Sequence, residues 1–213
     1  MRPMTDNDYW VTTTGPGSGI SANCYLAIAD AHVCLIDPGL SVNLNPVARA
    51  LHAAGRSPYD VTDILLTHYD HDHAQSAAEW QRRTGAQVWI GDADADILCR
   101  ICQPPSPRRR TMAAFMDLPE LPENLHRVIG ETEILPGVRA IPTPGHTNGH
   151  LAYVHGLVAY IGDAARAGLD GYLRPGPAPL MTDVAQADRT REEIAGWDVE
   201  WYAAGHSAPV RKA

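Results

Sequence analysis

The sequence predicts a single layered α/β (α+β) domain over residues 1–213, and three observations support this prediction. Short apolar runs alternate with segments of helix-forming residues in both halves of the chain. Of the 213 residues, 45% are hydrophobic and 20% are charged, a balance typical of globular proteins. A chain of this length can also bury a sizeable core without disulfides.

The predicted elements follow from local composition. Short apolar runs predict strands at residues 11–14, 24–29, 33–37, 63–67, 88–90, 138–141, 151–154, 157–161 and 199–203. In the first half, one helix should end at Gly55 and another, over residues 74–83, should end before Gly85, because glycine commonly follows the last turn of a helix. The last helix is expected over residues 184–194.

Residues 103–122 differ from the rest, since they are rich in proline and contain Arg108, Arg109 and Arg110 in succession. Neither flank resembles a complete domain, so this segment is predicted to be an insertion or lid over the core. Three successive arginines are typical of a solvated surface; the alternative is that they recruit an acidic group.

Charge and composition exclude several classes of partner. The net charge of −8 disfavours a nucleic-acid binder, and the absence of any run of about 18 apolar residues disfavours a membrane protein. The first ten residues carry acidic side chains where a signal peptide would carry basic ones. With only four cysteines, the chain is expected to be cytoplasmic with reduced thiols. The expected partner is a small-molecule substrate.

Potential metal ligands are concentrated directly after the strand predicted at 63–67. The segment His68-Tyr69-Asp70-His71-Asp72-His73 holds five such residues among six. Three more follow other predicted strands, namely His146, Asp163 and His206. Mixed imidazole and carboxylate ligands suit zinc, iron or manganese, and sheet edges commonly form binding sites, so the pattern predicts a metal centre.

Together these motifs resemble those of the metallo-β-lactamase superfamily. The resemblance rests on THYDHDH at 67–73, TPGHTNGH at 143–150, IGD at 161–163, AGHSAP at 204–209 and LIDPGL at 35–40, and it spans roughly residues 20 to 210. It implies a four-layer αββα sandwich with a pair of metal ions at one edge of the two sheets.

The resemblance also implies a role for each matching residue. His68 and His146 would bind the first metal ion, and Asp163 would bridge both ions. The second ion would be held by Asp72, His73 and His206. Asp37 would orient the metal loop without binding metal itself.

The sequence departs from the family motif at Asp70, which stands where the second histidine of HxHxDH is expected. Either Asp70 replaces that ligand, or the loop shifts and His71 supplies it. We prefer Asp70, because His68, Asp72 and His73 then stay in register. A carboxylate oxygen would favour manganese or iron at this position relative to zinc.

The implied function is a metal-dependent hydrolase in which a metal-bridging hydroxide cleaves an ester-like bond, such as a thioester, lactone, amide or phosphoester. The expected cofactors are two divalent ions, zinc first and manganese or iron as alternatives. Asp72 would hold the nucleophile or move its proton, and Tyr172 and Arg166 are candidate substrate-binding residues. The alternative function is a persulfide-dioxygenase-like oxidoreductase with one iron ion.

Five histidines lie outside the ligand pattern: His32, His52, His126, His150 and His155. They are expected to be surface or structural residues. His150 follows the metal turn closely enough to support a ligand instead.

Overall fold

Two β-sheets form the centre of the molecule in a computed structural model that describes residues 1–11, 22–115, 118–121 and 125–213. Within these residues the first sheet has seven strands, ordered from β1 to β7 as they follow in the chain. These strands are β1 Arg2–Pro3, β2 Asp8–Val11, β3 Cys24–Ala29, β4 His32–Ile36, β5 Asp63–Leu65, β6 Gln87–Gly91 and β7 His126–Val128. Strands β1 to β4 pair antiparallel, and β4 to β7 pair parallel.

The second sheet has six strands among the described residues, in the order β15-β14-β11-β10-β9-β8. Its strands are β8 Thr132–Leu135, β9 Val138–Pro142, β10 Leu151–His155, β11 Val158–Gly162, β14 Trp201–Ala204 and β15 Val210–Arg211. All pairs are antiparallel except β11 with β14. A separate ribbon pairs β12 Arg166–Ala167 with β13 Leu173–Arg174.

Helices lie on the outer faces of both sheets. They are α1 Leu44–Ala53, α2 His71–Ala74, α3 Ala77–Thr84, α4 Asp92–Leu98, α5 Pro107–Phe115 and α6 Val184–Ala195. Short 3-10 turns cover Ser41–Asn43, Pro58–Asp60 and Ala178–Leu180. No helix in the described ranges is both long and apolar enough to span a bilayer.

Three apolar clusters separate four layers. Leu51 of α1 and Trp80 of α3 pack with Ile64 on the outer face of the first sheet. The interior cluster, between the two sheets, includes Ile36, Leu65, Leu151, Tyr153 and Tyr160. On the far face of the second sheet, Ile194 of α6 packs with Ile161 and Tyr202. The predicted αββα sandwich is therefore confirmed, because each sheet buries one face against the other sheet and one against helices.

Most predicted elements are present with boundaries within a few residues. The strand predicted at 24–29 and the helix predicted at 184–194 match β3 and α6 closely. Residues 12–14 of the first predicted strand lie outside the described residues. Helix α4 was not predicted from the sequence, because its DADADIL sequence lacks an apolar helical stripe.

The segment predicted as an insertion contains α5, and its residues 116, 117 and 122 lie outside the described residues. Arg108 and Arg110 are exposed, as a solvated surface predicts. Arg109 is only 5% exposed, so the prediction of a solvated surface is wrong for this arginine. The role of the segment as a lid stays a prediction.

Loops from both sheets meet at one edge of the sandwich. The backbone N–H of Leu151 donates to the carbonyl of Thr67 (2.8 Å), and the Tyr153 hydroxyl donates to the carbonyl of Leu66 (2.9 Å). These bonds join the loop after β5 to the start of β10. Gly205 donates to the carbonyl of Gly162 (2.7 Å), which links the loops after β14 and β11.

Candidate metal centre

The first part of the site is the loop that connects β5 to α2. Asp37, directly after β4, accepts hydrogen bonds from the backbone N–H and hydroxyl of Thr67 (2.8 and 2.7 Å). Asp70 has extended backbone angles and is the residue before the short helix α2. The change from extended to helical backbone brings Asp72 and His73 to the same edge as His68.

One group of donor atoms is formed by His68, His146 and Asp163, whose ligand atoms all lie within 4.8 Å of one another. His68 is fully buried. Its Nδ1 lies 2.9 Å from the Thr67 hydroxyl, whereas its Nε2 has no hydrogen-bond partner among the described residues. A buried imidazole nitrogen without a partner, among other donors, fits a metal ligand.

A second group consists of Asp72, His73 and His206, again with ligand atoms within 4.8 Å of one another. His206 Nε2 lies 3.2 Å from Asp72 Oδ2 and 3.4 Å from His73 Nε2. The structure thus brings together residues more than 130 positions apart, which the resemblance assigns to the second metal ion.

Asp163 lies between the two groups. Its Oδ2 is 3.6 Å from His146 Nε2 and 3.3 Å from His206 Nε2, and its Oδ1 is 3.5 Å from His73 Nε2. The preceding residue, Gly162, has φ +46°, and a Cβ atom there would lie 2.5 Å from the Thr67 hydroxyl. A glycine is needed to bring Asp163 this close to the loop after β5.

The spacing of these atoms fits metal ions. Ligands held at about 2.0–2.2 Å from a tetrahedral ion are roughly 3.3–3.6 Å apart. The contacts among His73, Asp72, Asp163, His146 and His206 given above span 3.2–3.6 Å. All but the shortest of these five distances exceed those of good hydrogen bonds, which fits donor atoms placed to share a metal ion.

Asp70 also lies at the first group. Its Oδ2 is 2.9 Å from His146 Nε2 and 3.4 Å from His68 Nε2. His71 is half-buried, and neither Asp70 nor His71 is a member of the two three-residue donor groups found in the described parts of the chain.

Charges at the site favour a bound cation. Burial alone would lower the pKa of His73, but the carboxylates of Asp163, Asp37 and Asp72 raise it to about 9. Burial likewise opposes ionisation of Asp163, yet the neighbouring imidazoles, His73 foremost, hold its pKa well below its usual range. Asp163 is therefore ionised, and a divalent cation would neutralise the charge that protonated histidines otherwise balance.

Two further residues support the ligands. Asp37 Oδ2 lies 2.8 Å from His73 Nδ1; the resemblance implied that Asp37 orients the metal loop, and this contact with His73 was not predicted. His150 is buried, its Nε2 accepts a hydrogen bond from the Asp163 backbone N–H (3.1 Å), and its ring stacks on His68. Position alone suggested a supporting role for His150, but its contact with the backbone of Asp163 was not predicted.

Sequence reasoning also missed Asp94, which is 1% exposed. It accepts hydrogen bonds from the Thr147 hydroxyl (2.6 Å) and from the N–H groups of Gly149 (2.9 Å) and Tyr69 (3.3 Å). Burial raises the pKa of Asp94 to about 6. This carboxylate joins the loop of His68 to the turn of His146, and nothing in the alternating aspartates of α4 distinguishes Asp94 from Asp92 and Asp96.

A small cavity of about 30 Å³ opens beside His146, Asp163 and His206. Arg166, Leu180 and Met181 are among its other lining residues. Of the two predicted substrate-binding residues, Arg166 therefore borders the candidate centre. Tyr172 is 61% exposed and is not among the described residues that line this cavity.

Comparison with known proteins agrees with the fold. The family model of the metallo-beta-lactamase superfamily matches residues 17–206. A hydroxyacylglutathione hydrolase of Fuscovulum blasticum is 33% identical over 144 residues, which cover 66% of this chain and 48% of that protein. The chain thus spans about half the length of this curated relative.

Solved structures show the same fold. A metallo-beta-lactamase family protein of Thermus thermophilus superposes with a TM-score of 0.71 at 21% identity, covering 99% of this chain and 76% of that one. The protein TTHA1623, in a di-iron-bound form, also gives a TM-score of 0.71 at 21% identity, covering 95% of this chain and 94% of its own.

Proposed function

Because this chain belongs to the metallo-β-lactamase superfamily, we propose that it is a metallohydrolase that holds two divalent ions and cleaves an ester-like bond in a small molecule. One observation carries the proposal. Two groups of three donors, His68, His146 and Asp163 on one side and Asp72, His73 and His206 on the other, meet around the two oxygens of Asp163.

The first ion would be held by His68, His146, Asp163 and Asp70, and the second by Asp72, His73, His206 and Asp163. Asp70 is preferred to His71 because its Oδ2 faces both His68 and His146. When bound, such ions lower the pKa of water and polarise the bond under attack. Zinc suits the mixed imidazole and carboxylate donors, and manganese or iron are the alternatives.

Asp72 is the proposed catalytic residue. Burial works against its ionisation, but the imidazoles of His73 and His206 keep the pKa of Asp72 below its usual range. It is therefore a carboxylate near neutral pH and can accept the proton of an attacking water. Its side chain retains 12% exposure, so a water molecule entering from solvent can reach it.

A thioester is the first substrate class to test. Curated relatives that match about half of their own length to this chain are hydroxyacylglutathione hydrolases, and their substrate name denotes an acyl group on a thiol. The cavity beside His146 and His206 has an apolar wall that includes Leu180 and Met181, and a cation at Arg166. A small acyl group with a nearby anionic part would match this lining.

The one-iron alternative would need only His68, His146 and Asp163 as a facial triad. It leaves Asp72 and His206 without a role, although their carboxylate and imidazole lie at ligand spacing. This second group of donors favours two ions over one.

The test is metal stoichiometry followed by a hydrolysis panel. The protein is stripped with a chelator, reloaded separately with Zn²⁺, Mn²⁺ or Fe²⁺, and assayed on a thioester, a lactone, a β-lactam and a phosphodiester. We expect two ions per chain and hydrolysis that chelators abolish. Asp163→Asn should lose both metal binding and hydrolysis. Asp170→Asn, at an exposed aspartate paired with Arg174, should keep both.

The other outcomes are distinguishable. One iron per chain with oxygen uptake on a persulfide would favour the dioxygenase alternative. A chain that binds none of the three metals would contradict the proposed function.

A further inference from the structure

Arg109 is a buried arginine on α5 whose guanidinium group faces the candidate metal centre. Its Nη1 lies 2.6 and 2.8 Å from the two carboxylate oxygens of Asp70. Its Nη2 donates to the backbone carbonyls of His146 (2.7 Å) and Leu180 (2.6 Å). The guanidinium carbon also lies 5.5 Å from the centre of the Tyr69 ring. None of the motifs that identify the metal centre includes this residue.

We propose that Arg109 is a positioning residue that fixes Asp70 at the first metal position and offsets its charge, so that the Arg109–Asp70 pair takes the place of a neutral imidazole. The proposal rests on the proposed two-metal function. It assigns a specific role to the segment predicted as an insertion, which is otherwise remote in sequence from the metal motifs.

The charge argument is simple. A histidine ligand is neutral when it binds a metal ion, whereas Asp70 contributes −1 to the first position. The guanidinium of Arg109 contributes +1 at hydrogen-bond distance, and the arginine is only 5% exposed, so solvent screens the pair weakly. Together the two side chains add no net charge, as an imidazole would.

The geometry explains how the pair also positions Asp70. Nη1 bridges both oxygens of the Asp70 carboxylate on one side, while Oδ2 faces His146 and His68 on the other. The other terminal nitrogen, Nη2, donates to the main chain of His146 itself and of the Ala178–Leu180 turn beside the cavity. A planar guanidinium can make these bonds at once, and a lysine ammonium cannot reproduce their directions.

The first experiment compares Arg109→Gln and Arg109→Lys with the control Arg108→Gln, which removes an exposed arginine from the preceding position. Metal-free proteins are titrated with Zn²⁺ in competition with a chromophoric chelator. We expect Arg109→Gln to lower the affinity for one of the two ions by about 10- to 100-fold and to leave the affinity for the other unchanged. Loss of a group that orients a metal ligand typically has an effect of this size. Arg109→Lys should fall between wild type and Arg109→Gln, and Arg108→Gln should match wild type.

A second experiment separates charge compensation from simple loss of packing. Asp70→His alone places an imidazole against an unpaired buried guanidinium, so it should lower both the affinity for the first ion and the thermal midpoint of the metal-free protein. The double variant Asp70→His with Arg109→Gln removes that conflict and should recover at least tenfold of the lost Zn²⁺ affinity. A merely structural arginine would make the double variant worse than either single one.

Each outcome decides the question. If Arg109→Gln binds two ions as tightly as Arg108→Gln, or if the two substitutions are additive, this proposal is overturned while the proposed function stands. If the wild type itself binds no metal, the proposed function fails and takes this proposal with it. Should Arg109→Gln unfold, Arg109→Lys still gives the metal-affinity readout against the Arg108→Gln control, and equal affinities of these two variants would overturn the proposal.

Discussion

His73 Nδ1 lies 2.8 Å from Asp37 Oδ2, although the two residues are 36 positions apart. Asp37 follows β4 directly and has φ +48°, an uncommon conformation for an aspartate. The same carboxylate accepts two hydrogen bonds from Thr67. Because Asp37 accepts the hydrogen bond of His73 Nδ1–H, the other ring nitrogen, Nε2, faces Asp163 and His206. Asp37 therefore fixes both the His73 ring and the loop that carries other candidate ligands.

Asp37→Asn should therefore weaken metal binding without removing a ligand. The amide keeps the shape of the side chain but loses the charge and one acceptor oxygen. We expect metal affinity to fall by about 10- to 100-fold, as for other groups that orient metal ligands, when measured by chelator competition.

The matched control for this change is Asp30→Asn. Asp30 is an exposed turn residue at the other end of β4 and has φ +51°, so it shares the backbone conformation of Asp37 but lies at the opposite end of the strand. Its variant should bind metal as wild type does. Equal affinities of the two variants would contradict the role of Asp37.

His150 is expected to act through the backbone of Asp163. Its Nε2 accepts the Asp163 N–H, so the ring proton is on Nδ1, 2.7 Å from the Thr143 hydroxyl. Burial, with the nearby His68 and His146, lowers the pKa of His150 well below its usual range, which keeps the ring neutral. His150→Phe preserves a stacking ring but leaves the buried Asp163 N–H without an acceptor, at a cost of about 1–3 kcal/mol in the free energy of unfolding.

Urea unfolding of the metal-free protein measures this cost, and chelator competition measures the accompanying loss of metal affinity. The control is His126→Phe, because the His126 ring stacks on Trp89 at 4.1 Å and its Nε2 contacts the side chain of Gln87 rather than a backbone group of the candidate site. A His150→Phe protein as stable as the His126→Phe protein would count against this assignment.

Residues that the structure brings together at the candidate metal centre were easier to recognise from the sequence than those that support them. His68, Asp163 and His206 could be recognised because each follows an apolar strand, and strand ends are where open sheets collect functional groups. That signal is local, and it needs no knowledge of which residues lie nearby in space. The four-layer arrangement followed from resemblance, since alternating strands and helices alone do not specify two facing sheets.

The supporting residues depend on contacts that local patterns do not encode. Arg109 lies in a run of three arginines, where composition predicts a solvated surface, and its partner Asp70 is 39 positions away. Asp94 faces inward from α4, while Asp92 and Asp96 on the same helix bind Arg127 at 2.9 and 2.7 Å. Alternating aspartates give no apolar stripe, so neither the helix nor its inward carboxylate was predicted.

Stability should depend on pH through His155, the last residue of β10, which pairs with Asp8 of β2. Its Nδ1 lies 2.7 Å from Asp8 Oδ1, and this hydrogen bond raises the pKa of His155 above its usual value of 6.5. The folded state therefore favours the imidazolium, so the stabilisation is fully present below pH 6.5 and is lost as the pH rises through the raised pKa.

We expect the difference in unfolding free energy between wild type and His155→Gln to be largest in mildly acidic buffer and to shrink as the pH rises. Urea denaturation at a series of pH values measures it. In an Asp8→Asn background the carboxylate partner is absent, so the same substitution should give a difference that varies much less with pH. A wild-type advantage that grew with rising pH would contradict the sign of this linkage.

Gly162 and Gly156 provide a matched pair that tests how closely Asp163 approaches the loop after β5. Both glycines have left-handed backbone angles, with φ +46° and +53°, so alanine at either site carries a conformational cost of about 1–2 kcal/mol. They differ in their surroundings. A Cβ on Gly162 would lie 2.5 Å from the Thr67 hydroxyl and 2.9 Å from His150 Nε2, whereas no described atom lies within 4 Å of a Cβ on Gly156.

Gly156→Ala should therefore be destabilised only by the conformational cost, and it should keep its metal ions. Gly162→Ala must also displace Thr67 or His150, and with them Asp163, so it should be less stable than Gly156→Ala and should bind fewer than two Zn²⁺ ions per chain. Urea unfolding and metal titration of the two variants decide the matter. If they prove equally stable and equally loaded with metal, Asp163 does not depend on a close approach at Gly162, and its position between the two donor groups must be maintained by other contacts.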